Sequence, residues 1–189
     1  MKLVFATHNE NKVREMRELL PEFDIVSLSD LGITDEPIED GETFEENARI
    51  KARAALEATG LPSVADDSGL CVDALGGAPG VYSARYGGTG SGRKRILSEM
   101  FGISDRAAHF TSALVCLFPD GGAIETTAVC DGKIAFESRG TNGFGYDSIF
   151  ELADGRTMAE LENGEKNRIS HRGKAVREFV GKLEKYIGQ

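Results

Sequence analysis

The sequence predicts an α/β protein built on a mixed β-sheet flanked by helices. Three observations carry that expectation. In the first part of the chain a short apolar, β-prone run, "KLVFA", is followed by a segment of helical periodicity, "KVREMRELL". Later, strand-like runs follow one another around turn residues in "AHFTSALVCLF-PDGG-AIETTAVC-DGKIAFESRG", the pattern of an antiparallel meander. Between them a long helical segment carries a narrow stripe of small side chains, suited to close packing on a sheet. The combination excludes an all-parallel sheet.

The elements follow in order. Residues Lys2 to Ala6 read as a buried strand, and "THNEN" breaks it. Val13, Met16, Leu19 and Leu20 then fall at helical spacing, and Pro21 ends the helix. "DIVSLSDL" reads as a second strand and "DEPIEDGE" as an acidic loop. Thr43 and Glu46 match a capping box, with Phe44, Ala48, Ala52, Ala55 and Thr59 forming the stripe of the helix that follows. Gly60 and Pro62 close that helix. "PSVA" is a strand expected to end at Asp66 and Asp67, where Ser68 and Gly69 turn the chain. "ALGGAPGVYSARYGGTGSGRK" reads as a long loop held by Val81, Tyr82 and Tyr86, and "RKRILSEMFG" as a short helix. In the meander, "PDGG" and "DG" are the expected turns. "TNGFGYDSIF" is a loop leading into a strand, and the final amphipathic helix is capped by Ser170, with Val176, Phe179, Val180, Leu183 and Ile187 inward.

The length of 189 residues suits a single domain spanning residues 1–189. Hydrophobic residues make up 40% and charged residues 28%, the balance of an ordinary globular protein. A net charge of −9 argues against a large basic face for nucleic acid, while leaving room for a small cationic pocket. Cys71, Cys116 and Cys130 are odd in number and far apart, so neither a disulfide framework nor a structural zinc is expected. The first apolar run is too short for a signal-peptide core, and no later run is long enough to span a membrane. A cytoplasmic protein that binds neither membrane nor nucleic acid is the expectation.

Two helices carry charges that oppose their dipoles. Lys12 falls in the first turn of the first helix, and His171, Arg172 and Lys174 crowd the first turn of the last. Each placement costs about 0.3–1 kcal/mol for an exposed charge, and a docked anion would reverse the sign. Thr7, Asn9 and Asn11 can supply hydrogen bonds to such an anion, or Asn9 or Asn11 can simply cap the helix. Neither the P-loop nor the dinucleotide-binding glycine pattern is present.

The acidic counterpart is Asp66–Asp67. Adjacent residues of an extended strand point to opposite faces, so the pair cannot clamp one ion symmetrically. One carboxylate then serves a divalent cation with water and ligand oxygens, and a partner comes from among Glu36, Glu39, Asp40 and Glu42. A solvated turn is the plain alternative. In "FGYD", two aromatic rings beside a carboxylate could stack on a base, or belong to the core.

"THNENK", "TFEENA", "ADDSGL", "LGGAPGVYSARY", "GFGYD" and "SHRGKA" occur in an order and spacing similar to those of the RdgB/HAM1 family, the non-canonical purine nucleoside triphosphate pyrophosphatases. The resemblance covers essentially the whole chain. It implies an elongated fold around a central twisted sheet, a substrate cleft between two lobes, and a homodimer. It implies Mg²⁺-dependent hydrolysis of ITP, dITP and XTP to monophosphate and pyrophosphate, cleansing the nucleotide pool of deaminated purines. By motif, Thr7, His8, Asn9, Glu10, Asn11 and Lys12 would bind the triphosphate. Asp67 would be the catalytic carboxylate and a metal ligand, with Glu39 as the second ligand and Ser68 on the substrate. Phe144, Gly145, Tyr146, Asp147, Lys166, His171 and Arg172 would hold base and phosphates.

Overall fold

The structure, a computed structural model, describes residues 1–88 and 91–188; Thr89 and Gly90 of the glycine-rich loop and the C-terminal Gln189 lie outside the described residues. Six strands form one sheet: β1 Lys2–Phe5, β2 Asp24–Ser27, β3 Ser63–Val72, β4 Ala107–Leu117, β5 Ala123–Ile134 and β6 Phe150–Glu151. Their spatial order is β2-β1-β3-β4-β5-β6. β1 pairs in parallel with β2 and β3, and β5 pairs antiparallel with β6, so the sheet is mixed. The α-helices among the described residues are α1 Glu10–Leu19, α2 Phe44–Thr59, α3 Gly92–Glu99, α4 Asn163–Ile169 and α5 His171–Ile187.

The chain forms two compact units. The first comprises residues 1–67, 112–128 and the C-terminal segment from Arg172; the second comprises residues 68–111 and 129–171. Within the first unit, strand alternation divides the core in two. Leu3, Phe5, Val64, Leu114 and Cys116 pack with Val13 and Met16 of α1 and with Val176, Phe179 and Leu183 of α5. Their chain neighbours Val4, Ala6, Ala65, Val115 and Leu117 pack with Ala48, Ala52 and Ala55 of α2. The period of two along each strand therefore assigns one sheet face to α1 and α5 and the other to α2. Of the predicted stripe of α2, Ala48, Ala52 and Ala55 are buried while Phe44 and Thr59 at its ends are half-buried, and both bonds of the Thr43–Glu46 capping box are present. Gly60 closes the helix at φ 67°, a conformation that suits glycine. In the second unit, Leu70, Val72, Phe110, Ile134, Phe150 and Met158 share one core with Ile96 of α3.

Several elements differ from expectation. β3 does not end at Asp66; it runs straight through Asp67, Ser68 and Gly69 to Val72, and Gly69 takes no positive φ. Turn propensity is local and weak, and the burial of nearly the whole strand overrides it. β5 likewise runs through Asp131–Gly132, so the meander has two long strands where three were expected. Gly132 is there for space: a Cβ would come within 2.6 Å of the Glu151 carbonyl oxygen and the Phe150 ring on the neighbouring β6. Tyr82 does not hold the glycine-rich loop, being 62% exposed, whereas Tyr86 packs against the core of the second unit. Ile187, expected inward, is 54% exposed. The short helix α4 precedes α5 and was not expected.

Candidate active site

Strand parity decides where the two aspartates go. Asp66 shares its face with Val64, and so faces α1 and α5; Asp67 shares its face with Ala65, and so faces α2. Asp66 is 1% exposed. Its carboxylate lies 2.8 Å from the Lys12 ammonium of α1 and accepts a bond of 3.0 Å from Arg172 Nη2 of α5. The Ser112 hydroxyl on β4 donates to its other oxygen. Arg172 Nη1 meets Glu15, a buried acid on α1. Burial works to raise the Asp66 pKa, but Arg172 and Lys12 outweigh it and hold the carboxyl well below the ordinary range. Burial draws the Lys12 pKa down, against the pull of Asp66. Lys12 and Arg172, two of the charges that oppose the dipoles of α1 and α5, thus have anionic partners within the protein. Asp66 serves both helices.

Asp67 lies on the other face and is 8% exposed. Its Oδ1 accepts a 2.7 Å bond from the Lys51 ammonium, which also reaches Glu39 Oε2 at 3.1 Å. Its Oδ2 is buried without a hydrogen-bond partner. Burial raises the Asp67 pKa, only partly offset by Lys51. For Lys51, burial lowers the pKa, but Asp67 and Glu39 prevail and leave it raised. Of the four acidic-loop candidates, Glu39 is the one tied to Asp67 through a shared cation; Glu36 and Asp40 are exposed.

The loop before α1 is shaped by its own side chains. Asn9 is the N-cap, its side-chain oxygen accepting from the backbone N–H groups of Asn11 and Lys12. Thr7 Oγ1 accepts from the Asn9 N–H, and Asn11 accepts from Arg14. Glu10 is exposed at the first position of α1, and His8 approaches the Ser29 hydroxyl at 3.5 Å. At this helix end Asn9 occupies two of the free N–H groups, and the Lys12 ammonium is turned to Asp66.

The second unit gathers its own cluster. Lys166 of α4 is 3% exposed and pairs with Asp147 at 2.7 Å. The same Asp147 oxygen accepts from the Phe144 N–H. The Lys166 ammonium stands 4.9 Å from the Phe144 ring centre. Gly143 has φ 70°, and a Cβ there would fall on the Asp147 carboxylate, so glycine is required twice over. Gly145 also has a positive φ. Tyr146 is a core residue whose hydroxyl donates to the Ser83 carbonyl, which leaves Phe144 as the partly exposed ring of the motif. His171, 5% exposed, stacks on Phe110 with ring centres 4.7 Å apart. Ser68 lies half-buried on β3.

This arrangement can be set beside known proteins. The model of the Ham1 family matches residues 3–182. The chain belongs to the Ham1 family. A protein of Desulfotalea psychrophila named dITP/XTP pyrophosphatase is 48% identical over 192 residues, which cover 98% of this chain and 86% of that one. One of the same name from Haemophilus influenzae is also 48% identical, over 96% of this chain and 98% of its own. The Ham1 protein of Staphylococcus aureus shares the fold at a TM-score of 0.88, with 36% identity over 98% of this chain and 100% of that one. A HAM1 protein from Coxiella burnetii gives the same TM-score at 40% identity, covering 98% and 99%.

Within this Ham1-family chain, sequence reasoning passed over Lys51, Glu15 and Ser112. Lys51 had a visible signal: it sits three residues after Ala48 and four before Ala55, in the stripe that faces the sheet. Ser112 has the parity of Leu114 and Cys116, a hydroxyl in an otherwise apolar file. Glu15 carries no local signal, since it is buried by its pairing with an arginine 157 residues away.

Proposed function

We propose that this protein hydrolyses the triphosphates of deaminated purines, ITP, dITP and XTP, to monophosphate and pyrophosphate with Mg²⁺, and so cleanses the nucleotide pool. The observation that carries the reading is Asp67, a desolvated carboxylate with one oxygen buried and unpartnered, beside Lys51 and Glu39. The names of the relatives from Desulfotalea psychrophila and Haemophilus influenzae support the substrate class. A cytoplasmic homodimer belongs to the same reading, and no described helix is long and apolar enough to cross a membrane.

The donor set fits a hard divalent cation: Asp67 Oδ2 has no other partner, and Glu39 adds a second carboxylate oxygen. Bound there with substrate, Mg²⁺ would offset the charge of the triphosphate. Cleavage at the α–β bond needs a water in line with the α-phosphorus and pyrophosphate as the leaving group. Asp67 is suited to orient that water, because its carboxylate is buried and held in place by the Lys51 ammonium at 2.7 Å. Lys12, fixed by Asp66, supplies positive charge for the leaving group. Phe144 offers a ring for the base, and His171 a donor for a six-keto oxygen, where adenine presents an amine. Arg172 acts through Asp66 and Glu15, to which its two terminal nitrogens are bonded.

A panel of ITP, XTP, ATP and GTP with Mg²⁺ tests the proposal. ITP and XTP should turn over faster than ATP and GTP, each giving pyrophosphate. Equal rates on all four, or orthophosphate as product, would overturn it.

A further inference from the structure

The environment of Lys51 has a consequence for cation binding. Its ammonium is held at 2.7 Å by Asp67 and 3.1 Å by Glu39, the two carboxylates assigned to the cation. The Lys51 and Asp67 side chains are mostly buried, 14% and 11% exposed, so solvent screens that pair weakly, while Glu39 is 36% exposed. Asp66 also attracts Lys51, but its carboxylate is already paired with Lys12 and Arg172. The ammonium and a divalent cation would thus draw on the same two carboxylates.

We infer that Lys51 is the internal counter-ion of Glu39 and Asp67, and that it competes with the divalent cation for them. The inference rests on the proposed Mg²⁺ site. Without nucleotide, Lys51 satisfies the two acids and keeps cation affinity low. Filling the site requires the ammonium to give up Asp67 and Glu39, which is favourable once an anionic ligand offers it a new partner. In that sense Lys51 is a positioning residue that restrains cation binding in the empty protein.

The test is Mn²⁺ binding to the nucleotide-free protein, followed by the electron paramagnetic resonance signal of free Mn²⁺. Lys51→Met should bind Mn²⁺ more tightly than wild type, on the order of tenfold for removing one weakly screened charge. Lys51→Arg keeps the charge and should stay near wild type. Adding Asp67→Asn to Lys51→Met should abolish the gain. Lys51→Gln repeats the measurement if circular dichroism shows the Met variant unfolded. Equal or weaker binding in Lys51→Met, with binding measurable in wild type, overturns the counter-ion role and leaves the cation site standing. A gain that survives Asp67→Asn places the ion elsewhere and also overturns it. No binding to either protein overturns the cation site itself, and the inference with it.

Discussion

The Asp66 carboxylate and the Lys12 ammonium meet at 2.8 Å inside the first unit, with Arg172 3.0 Å away on the same oxygen. Removing the charge of Asp66 takes from the buried Lys12 its carboxylate and leaves Arg172 with Glu15 alone. Asp66→Asn should therefore destabilise the protein by about 3 kcal/mol, the usual cost of breaking a buried pair from one side. Urea unfolding measures this. Pyrophosphate release should fall less than in Asp67→Asn, since Asp66 acts by holding Lys12 and Arg172.

Asp67→Asn should show the opposite balance. Its charge is opposed by burial, so the variant should keep its melting temperature within about 4 °C. Pyrophosphate release should fall by about 10²–10⁴-fold, the range for loss of a positioned base. A melting scan and a steady-state assay on the same preparation compare the two.

Lys166 and Asp147 form a second buried pair, at 2.7 Å. Lys166→Met alone leaves a buried carboxylate and should cost about 3–5 kcal/mol. The double variant Lys166→Met/Asp147→Leu should recover part of that loss, because no lone charge remains. Chemical denaturation of the four proteins of this cycle gives the coupling.

Acid should weaken the contact between Tyr186 and Asp120. The Tyr186 hydroxyl donates to Asp120 at 2.6 Å, and that bond with the Gly122 N–H holds the Asp120 carboxyl below its ordinary value. A lowered carboxyl pKa stabilises the fold above the unfolded value, and the benefit disappears as pH falls through the folded one. The same bond raises the tyrosine to about 12. Tyr186→Phe keeps the stacking on Phe118 and should melt below wild type at pH 7, with the gap closing as pH drops below about 4. Melting temperatures of the two proteins at several pH values check this.

What could be read in advance was what depends on near neighbours or on period. The capping box of α2 lies within four residues, and its alanine stripe follows from helical spacing. The opposite destinations of Asp66 and Asp67 follow from strand parity alone. The supposed turns at Ser68–Gly69 and Asp131–Gly132 were misread because the deciding partners lie far away in sequence. Asp66 is held by residues 12, 112 and 172, and Gly132 is explained by the approach of residues 150 and 151. Glu15 was illegible for the same reason, whereas Lys51 was legible in position but not in role.

Ala48, Ala52 and Ala55, buried against strand residues, set α2 on the sheet through side chains that end at Cβ. The backbone that bears Lys51 is consequently a fixed mount. In the proposed cation site, any adjustment on binding falls to the four-carbon arm of one lysine. A larger side chain in that stripe would act as a shim: it would lift the mount and shorten the arm's reach, retuning the chemistry at Asp67 without altering a residue that touches it.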